Sequence, residues 1–371
     1  MNRKKMGARI ILGAFLILLC FSGLLWSFVS GFTDSTNYEN REMAEKPELT
    51  LDTYGEYAQE YENYYNDKIP FRNTLITLNS AIDYFVFHRS SSTSVIPGKN
   101  NWLFYCKESD GDPLGSYQGK DLLTEEELKA LADNCVAQRD FLAAQGIEFV
   151  IFIGPNKERI YSEYMPEQYG KPTEHYRAEQ IVEYLQEHTD LRVVYPYNEL
   201  MQAKDQIKEN LYYKTDTHWN ALGGYVGAAA LLRELGIQMP SLTDSQIEII
   251  HGENTSGDLA GMLNLSKQLK RNDTEYAVIG YNAHNVQWLE NDFFGVFSFQ
   301  ADNADPRRIY VYRDSFSTAM ASYIGSQFAG SYLRHCASYT YEDCIAQNPD
   351  VFVFETVERY AGSLATFQVE K

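Results

Sequence analysis

The chain has 371 residues and a net charge of −19, a field that repels phosphate backbones and excludes nucleic acid as a partner. Its hydrophobic fraction of 44% is enough for a sizeable core. The 28 Tyr and 20 Phe supply flat apolar surface that packs half-buried or meets carbohydrate.

Residues Ile10 to Phe32 form an uninterrupted apolar run, and about 20 such residues cross a hydrocarbon core as a helix. Arg3, Lys4, Lys5 and Arg9 precede it, while Asp34, Glu39 and Glu42 follow against a lone Arg41. The positive-inside rule therefore predicts residues 1–9 as a cytoplasmic stub, 10–32 as a single-pass anchor of the cell membrane, and the rest as extracellular. The run is long for a cleaved signal, and Trp26 to Gly31 make a poor cleavage site. Residues 33–51 are polar and read as a linker to one large domain, 52–371.

That domain opens with two helix-like stretches, Tyr54–Asn66 and Phe71–Phe87. In the second, Leu75, Ile76, Leu78, Ile82, Phe85 and Val86 recur at a helical period, and Pro70 stands near its start. A short strand is predicted at Trp102–Tyr105. Thr124 and Glu127 form a capping-box signature for a helix that runs to about Ala144 and stops at Gly146. Ile147–Ile153 is a nearly continuous apolar run rich in β-branched residues, as expected of a strand buried on both faces. Helices near 175–187 and 197–208 flank a strand at Leu191–Val194. A further helix spans Trp219–Leu235, and a strand is expected at Ile247–Ile250. Residues 274–299 read as antiparallel strands forming an insertion. The alternation returns with Arg308–Tyr312, a helix after Ser315, a strand near Ser331, a helix near Tyr341 and the strand Val351–Glu355. Strands alternating with helices predict an α/β fold with a mostly parallel sheet covered on both faces.

Of the five cysteines, Cys20 lies in the apolar run. Cys106, Cys135, Cys336 and Cys344 include no Cys-x-x-Cys pair, which speaks against structural zinc. Outside the cytoplasm they could form two disulfides, with Cys336 and Cys344 one candidate pair, or remain buried thiols.

Sites in open parallel sheets form beyond the carboxyl ends of strands. Three predicted strands end in polar text: Pro155-Asn156-Lys157, Arg313-Asp314-Ser315-Phe316 and Thr356-Val357-Glu358-Arg359. Ser315 is the nucleophile candidate, because a helix amino terminus close by offers N–H groups to an oxyanion; Asp314 or Ser315 as a plain helix cap is the alternative. Among seven histidines, His218 stands out in Thr215-Asp216-Thr217-His218-Trp219-Asn220. Asp216 is near enough to hold Nδ1–H and leave Nε2 free to take a proton from serine; a capping Asp216 or Thr217 beside a surface histidine is the alternative. Gly257-Asp258-Leu259-Ala260-Gly261 is a third polar turn, either a donor to the reacting carbonyl or a helix entry. No His-x-x-x-His or dense carboxylate cluster marks a metal site, so neither metal nor other cofactor is expected.

Asp216-Thr217-His218-Trp219-Asn220 followed by Asp314-Ser315-Phe316 resembles the SGNH-hydrolase-like proteins of the alginate O-acetyltransferase group and their DHHW relatives. Glu39-Asn40-Arg41, Tyr65 through Arg72, Gly98-Lys99 with Trp102-Leu103-Phe104, Pro155-Asn156-Lys157, Gly257-Asp258-Leu259 and Pro349-Asp350 through Glu358-Arg359 agree in order. The resemblance covers residues 38–362. It implies a three-layer α/β/α sandwich and a Ser315–His218–Asp216 triad. It also implies O-acetylation of a surface polysaccharide, beside a multipass membrane acyltransferase that supplies acetyl groups. Arg313, Asp314, Asn156, Lys157, Gly257, Asp258, Glu358 and Arg359 are the substrate or oxyanion candidates. Arg313 is a departure, since ordinary SGNH enzymes carry Gly before Asp-Ser. A polysaccharide acetylesterase with the same triad, or a non-catalytic scaffold of a modification complex, would share much of this text. A D-alanylation factor of teichoic acid should instead carry its serine before its Asp and His.

Overall fold

The computed structural model describes residues 11–17, 43–67, 71–281, 284–302 and 304–370. Of the predicted anchor, residues 11–17 are helical and the remainder lies outside the described residues, as does Pro70. Among the described residues, no helix is long and apolar enough to cross a membrane.

Two compact units are present. One comprises the described residues up to Ser91 together with Met262–Leu265; the other comprises Ser92–Gly261 and the described residues from Ser266 onward. The first unit holds α1 (Tyr57–Asp67) and α2 (Arg72–Phe85). The apolar face of α2 is exposed at Leu75, Leu78, Ile82 and Phe85.

The second unit is built on a seven-stranded mixed sheet. Its strands in chain order are β3 (Glu148–Gly154), β4 (Arg192–Val194), β7 (Asn285–Asn291), β8 (Val296–Asp302), β9 (Asp305–Arg313), β10 (Phe328–His335) and β11 (Val351–Val357), arranged β4-β3-β11-β9-β10-β8-β7. The five strands from β4 to β10 pair in parallel, and β8 and β7 are antiparallel. Two small antiparallel pairs stand apart: β1 (Val95–Pro97) with β2 (Leu103–Tyr105), and β5 (Glu248–Thr255) with β6 (Asp273–Ile279). The predicted insertion is thus divided. Its first strand pairs with β5, while the next two extend the central sheet.

Alternation along the strands creates two cores. Val150 and Phe152 of β3, Val351 and Val353 of β11, and Ile309 and Val311 of β9 face one of them. Ile151 and Ile153, Phe352 and Phe354, and Tyr310 face the other. Helix α3 (Glu125–Ala143) and helix α4 (Arg177–His188) cover the second face with Leu128, Leu131, Ile181 and Leu185. Helices α5 (Tyr197–Gln206) and α6 (Ala221–Glu234) cover the first with Leu200, Leu222 and Tyr225. The result is a three-layer α/β/α sandwich. The Thr124–Glu127 capping box opens α3, and Gly146 takes a φ of 79° past its end, the left-handed geometry that glycine adopts without strain. The helix predicted after Ser315 is instead a 3-10 turn, Phe316–Ala319, followed by the short helix Ala321–Gly325. Cys106, Cys135, Cys336 and Cys344 are free thiols, so the candidate Cys336–Cys344 pair is not joined.

Candidate active site

Strand β11 lies between β3 and β9, and all three run parallel. Their carboxyl ends therefore emerge side by side, bringing Asn156 and Lys157, Asp314 and Ser315, and Glu358 and Arg359 to one edge. Asp216 and His218 approach from the loop before α6.

Each residue of the Asp216–Asn220 segment has its own task. Asn220 caps α6, accepting from the N–H groups of Leu222 and Gly223 at 2.9 and 3.3 Å. The Trp219 indole N–H donates to the Phe316 carbonyl at 2.8 Å, which ties this loop to the serine turn. Thr217 donates its N–H and hydroxyl to the Asp258 carboxylate at 2.8 and 2.6 Å. His218 Nδ1 pairs with Asp216 Oδ1 at 2.6 Å, and His218 Nε2 lies 2.8 Å from Ser315 Oγ. With Nδ1–H donating to the carboxylate, Nε2 is left as the acceptor for the serine proton. The second Asp216 oxygen accepts from the Asp258 N–H at 2.9 Å.

Asp314 shapes the serine turn. Its two carboxylate oxygens accept from the N–H groups of Phe316 and Val357 at 2.8 and 2.7 Å. Its own N–H donates to Glu355 at 3.0 Å. The N–H of Ser315 makes no hydrogen bond among the described residues.

The charges follow from these contacts. Burial opposes ionisation of Asp216, but the hydrogen bond and charge of His218, with the N–H groups of Asp258 and His218, hold its pKa down at about 2. Burial also opposes protonation of His218, yet the Asp216 hydrogen bond and charge, aided by Asp258, raise it above its ordinary value of 6.5. Desolvation and the neighbouring Asp216 push the Asp258 carboxyl up. A base must be neutral to accept a proton. The rate with an activated ester should therefore fall on the acid side with a midpoint above 6.5. In Asp216→Asn, the largest contributions that raise His218 are lost while burial and the smaller pull of Asp258 remain, so the midpoint should move down. A pH–rate series on both proteins checks this, and an unmoved midpoint would sink the assignment of Asp216 as the orienting acid.

Ser315, His218, Asp216 and Asp258 open on a cleft of about 480 Å3, whose walls include Tyr213, Trp219, Ala221, Phe293, Phe316 and Ala319. Asp216, His218 and Asp258 offer ligand atoms within 4.8 Å of one another. Asp216 and Asp258 already accept from N–H and O–H donors, and the Asp216–His218 pair is aligned as a proton relay requires.

Other sequence candidates point elsewhere. Arg313 is fully buried. It donates to the carbonyls of Leu333 and Phe293 at 3.1 and 2.7 Å and lies 4.2 Å from the Phe297 ring centre. The reason is alternation, because Arg313 shares a strand face with Ile309 and Val311. Burial lowers its pKa to about 10, which leaves it a cation. The Gly257 N–H donates to Thr215 Oγ1 at 3.0 Å, and a side chain at Gly257 would overlap Asp216. Gly257 and Asp258 thus support the acid loop instead of reaching a carbonyl oxygen. Asn156, Lys157 and Arg359 line a separate small cavity with Glu158, Tyr105, Pro113 and Thr217. Buried Glu358 accepts the Asn156 N–H at 2.7 Å and is pushed up to about 7 by desolvation.

Lys157 acts from behind the acid. Its buried ammonium donates to the carbonyls of Tyr213, Lys214 and Asp216, and burial draws its pKa down to about 8 against the pull of nearby aspartates. Lys157→Met would keep the volume but orphan these acceptors, at about 1–3 kcal/mol for each left unsatisfied. The melting temperature should fall, and kcat for an activated ester should drop by about tenfold, from misplacement of the acid loop, with KM little changed. Wild-type kcat in the folded variant would refute this positioning role.

The sequence reading missed Phe293 and Trp219 as walls of the cleft. Trp219 stood within the quoted motif, whereas nothing in the spacing of residues 274–299 marked Phe293.

Residues 95–295 match the family model described as SGNH hydrolase-like domain, acetyltransferase AlgX. That span holds Asp216, His218 and Phe293 and ends before Ser315. The probable alginate O-acetylase AlgJ of Pseudomonas putida is 28% identical over 217 residues, 57% of this chain and 52% of that protein. The chain thus spans about half the length of the curated relatives it matches. Two solved structures share the fold. One is a DHHW family protein from Eubacterium siraeum, with a TM-score of 0.52, 16% identity, and coverage of 75% of this chain and 99% of that one. The other is PatB1 of Bacillus cereus with a sulfonyl adduct, with a TM-score of 0.50, 15% identity, and coverage of 75% and 100%. Matched over more than half its length and carrying the Asp-x-His pair in the expected loop, the chain belongs to the SGNH hydrolase-like domain family of acetyltransferase AlgX.

Proposed function

We propose that this protein is an O-acetyltransferase that moves an acetyl group through an ester on Ser315 to a cell-surface or secreted polysaccharide. The hydrogen-bonded line Asp216–His218–Ser315, opening on a mostly apolar cleft, carries the reading. His218 takes the Ser315 proton as Oγ attacks the acyl carbonyl, and the uncommitted Ser315 N–H supports the oxyanion. The donor's leaving group departs with that proton. A sugar hydroxyl then gives its proton to His218 and takes the acetyl group, and Ser315 recovers a proton from His218. Apolar walls disfavour water as the acceptor, which supports transfer over hydrolysis.

A multipass membrane acyltransferase is the proposed acetyl donor. The run Ile10–Phe32 would anchor the protein in the cell membrane with the catalytic unit outside. Protease added to intact cells lacking a wall should digest the catalytic unit, and full protection would reject this topology. The activity is tested by mixing the protein with an activated acetyl ester and polysaccharide. Acetyl groups on the polymer are expected; free acetate with an unmodified polymer would identify an esterase, and no turnover at all a scaffold.

A further inference from the structure

The turn between β7 and β8, residues Asp292–Gly295, carries one aromatic ring to the cleft and a second beside it. Phe293 lines it with Ser315 and is 44% exposed, while Phe294 beside it is 73% exposed. Their ring centres are 4.9 Å apart and nearly perpendicular. Exposing two neighbouring phenylalanines at a hairpin tip is unfavourable in water, and this pair is held there. Arg313 donates to the Phe293 carbonyl at 2.7 Å and to the Asp314 carbonyl at 3.3 Å. One guanidinium therefore joins the tip to the residue preceding the nucleophile. Ser338 Oγ donates to the Phe294 carbonyl at 3.2 Å, and the His335 N–H donates to the Gly295 carbonyl at 2.8 Å.

Among the described residues, no lysine or arginine lines the cleft, which instead carries Asp216 and Asp258. The cations behind it are not among its walls. Lys157 is spent on three carbonyls and Arg313 on the hairpin, while Arg359 lies 5.7 Å from the Phe316 ring centre and lines the separate cavity with Glu158. A polymer with a carboxylate on each sugar would meet a field of its own sign, in a chain of net charge −19. A neutral sugar ring can lay its C–H face on an aromatic ring, whose face is electron-rich.

We infer that the Asp292–Gly295 tip is the acceptor subsite, and that it takes a neutral hexose polymer, stacked on Phe293 and Phe294, in preference to a polyuronate. This rests on acyl transfer through Ser315. In that step the acyl–Oγ bond of the serine ester breaks and an acyl–oxygen bond to the sugar forms. The sugar proton passes through His218 to Ser315, so no further reactant is needed.

The test uses the full chain, p-nitrophenyl acetate as donor, and hexasaccharides of matched length: β-1,4-glucose, β-1,4-mannose and β-1,3-glucose against hexamannuronate. At least one neutral acceptor should exceed hexamannuronate in kcat/KM by about tenfold, equivalent to about 1.4 kcal/mol. Phe293→Ala with Phe294→Ala should collapse that ratio, which a general loss of activity does not move. Phe294→Trp keeps a stacking face and should keep the ratio, so the test survives misfolding of the alanine variant. Equal or better use of hexamannuronate, no transfer to any neutral acceptor from an acetylated Ser315, or a ratio unchanged in the double variant would overturn the inference. Failure of Ser315 to become acetylated would instead defeat the acyltransferase reading beneath it.

Discussion

Replacing His218 by alanine should lower turnover of an activated acetyl ester by about 10²- to 10⁴-fold, the usual cost of losing a general base. The geometry gives the reason. Nε2 is the partner of Ser315 Oγ at 2.8 Å, and among the described residues no other histidine lines the cleft. The fold should persist, because the anchors of this loop are its neighbours: Trp219 on the Phe316 carbonyl and Asn220 on the first turn of α6. Asp216 would keep the N–H groups of Asp258 and residue 218 as donors. Added imidazole should restore part of the lost rate, since it supplies the missing base without repairing any packing. His218→Ala combined with Ser315→Ala should be no slower than the worse single variant, as expected of residues that act in one step. Near-normal turnover in purified, folded His218→Ala protein would reject His218 as the base.

Much of this arrangement is legible in the sequence because the signals are local. A run such as Ile147–Ile153 can satisfy its two apolar faces only inside a covered sheet, and β3 is buried there on both sides. Likewise Asp216 and His218 are two residues apart, so one loop conformation brings carboxylate to imidazole. Polar text at strand ends pointed to the sheet edge where Asp314, Ser315, Asn156 and Glu358 gather but could not say where each side chain points. Lys157 turns behind the acid loop because the carbonyls that satisfy its ammonium come from a distant segment, and the backbone N–H of Asn156 is held by the equally distant Glu358 carboxylate. Arg313 could have been read correctly by carrying the strand alternation one residue further, onto the face of Ile309 and Val311. The hairpin is the opposite case. Its strands were recognisable as antiparallel, but the pairing of β8 with β10 is a long-range choice that no local pattern encodes. The placement of Phe293 in the cleft depends on that pairing.

Ser315→Ala should abolish the acetyl-protein intermediate altogether. On incubation with an activated acetyl ester, the wild-type peptide containing Ser315 should gain one acetyl group, about 42 Da, as covalent serine catalysis requires. The hydroxyl is the single heteroatom of that side chain, and His218 is its partner in the site. The turn around it is held by Asp314, through the N–H groups of Phe316 and Val357, and by Glu355 on the Asp314 N–H. None of these bonds uses the Ser315 side chain, so the alanine variant should melt close to the wild type. With the nucleophile gone, residual turnover should come from the cleft and the oxyanion donor alone, leaving a rate far below wild type though above the uncatalysed one. Ser315→Cys offers a second view: a thiol of similar size can still be acylated, and its thioester should accumulate if the acceptor step is the slower one. The decisive measurement is peptide mass mapping of the three proteins after one exposure to donor. An adduct that stays at the same intensity in Ser315→Ala, or one that maps to another residue in the wild type, would remove Ser315 from the mechanism and with it the role given to His218.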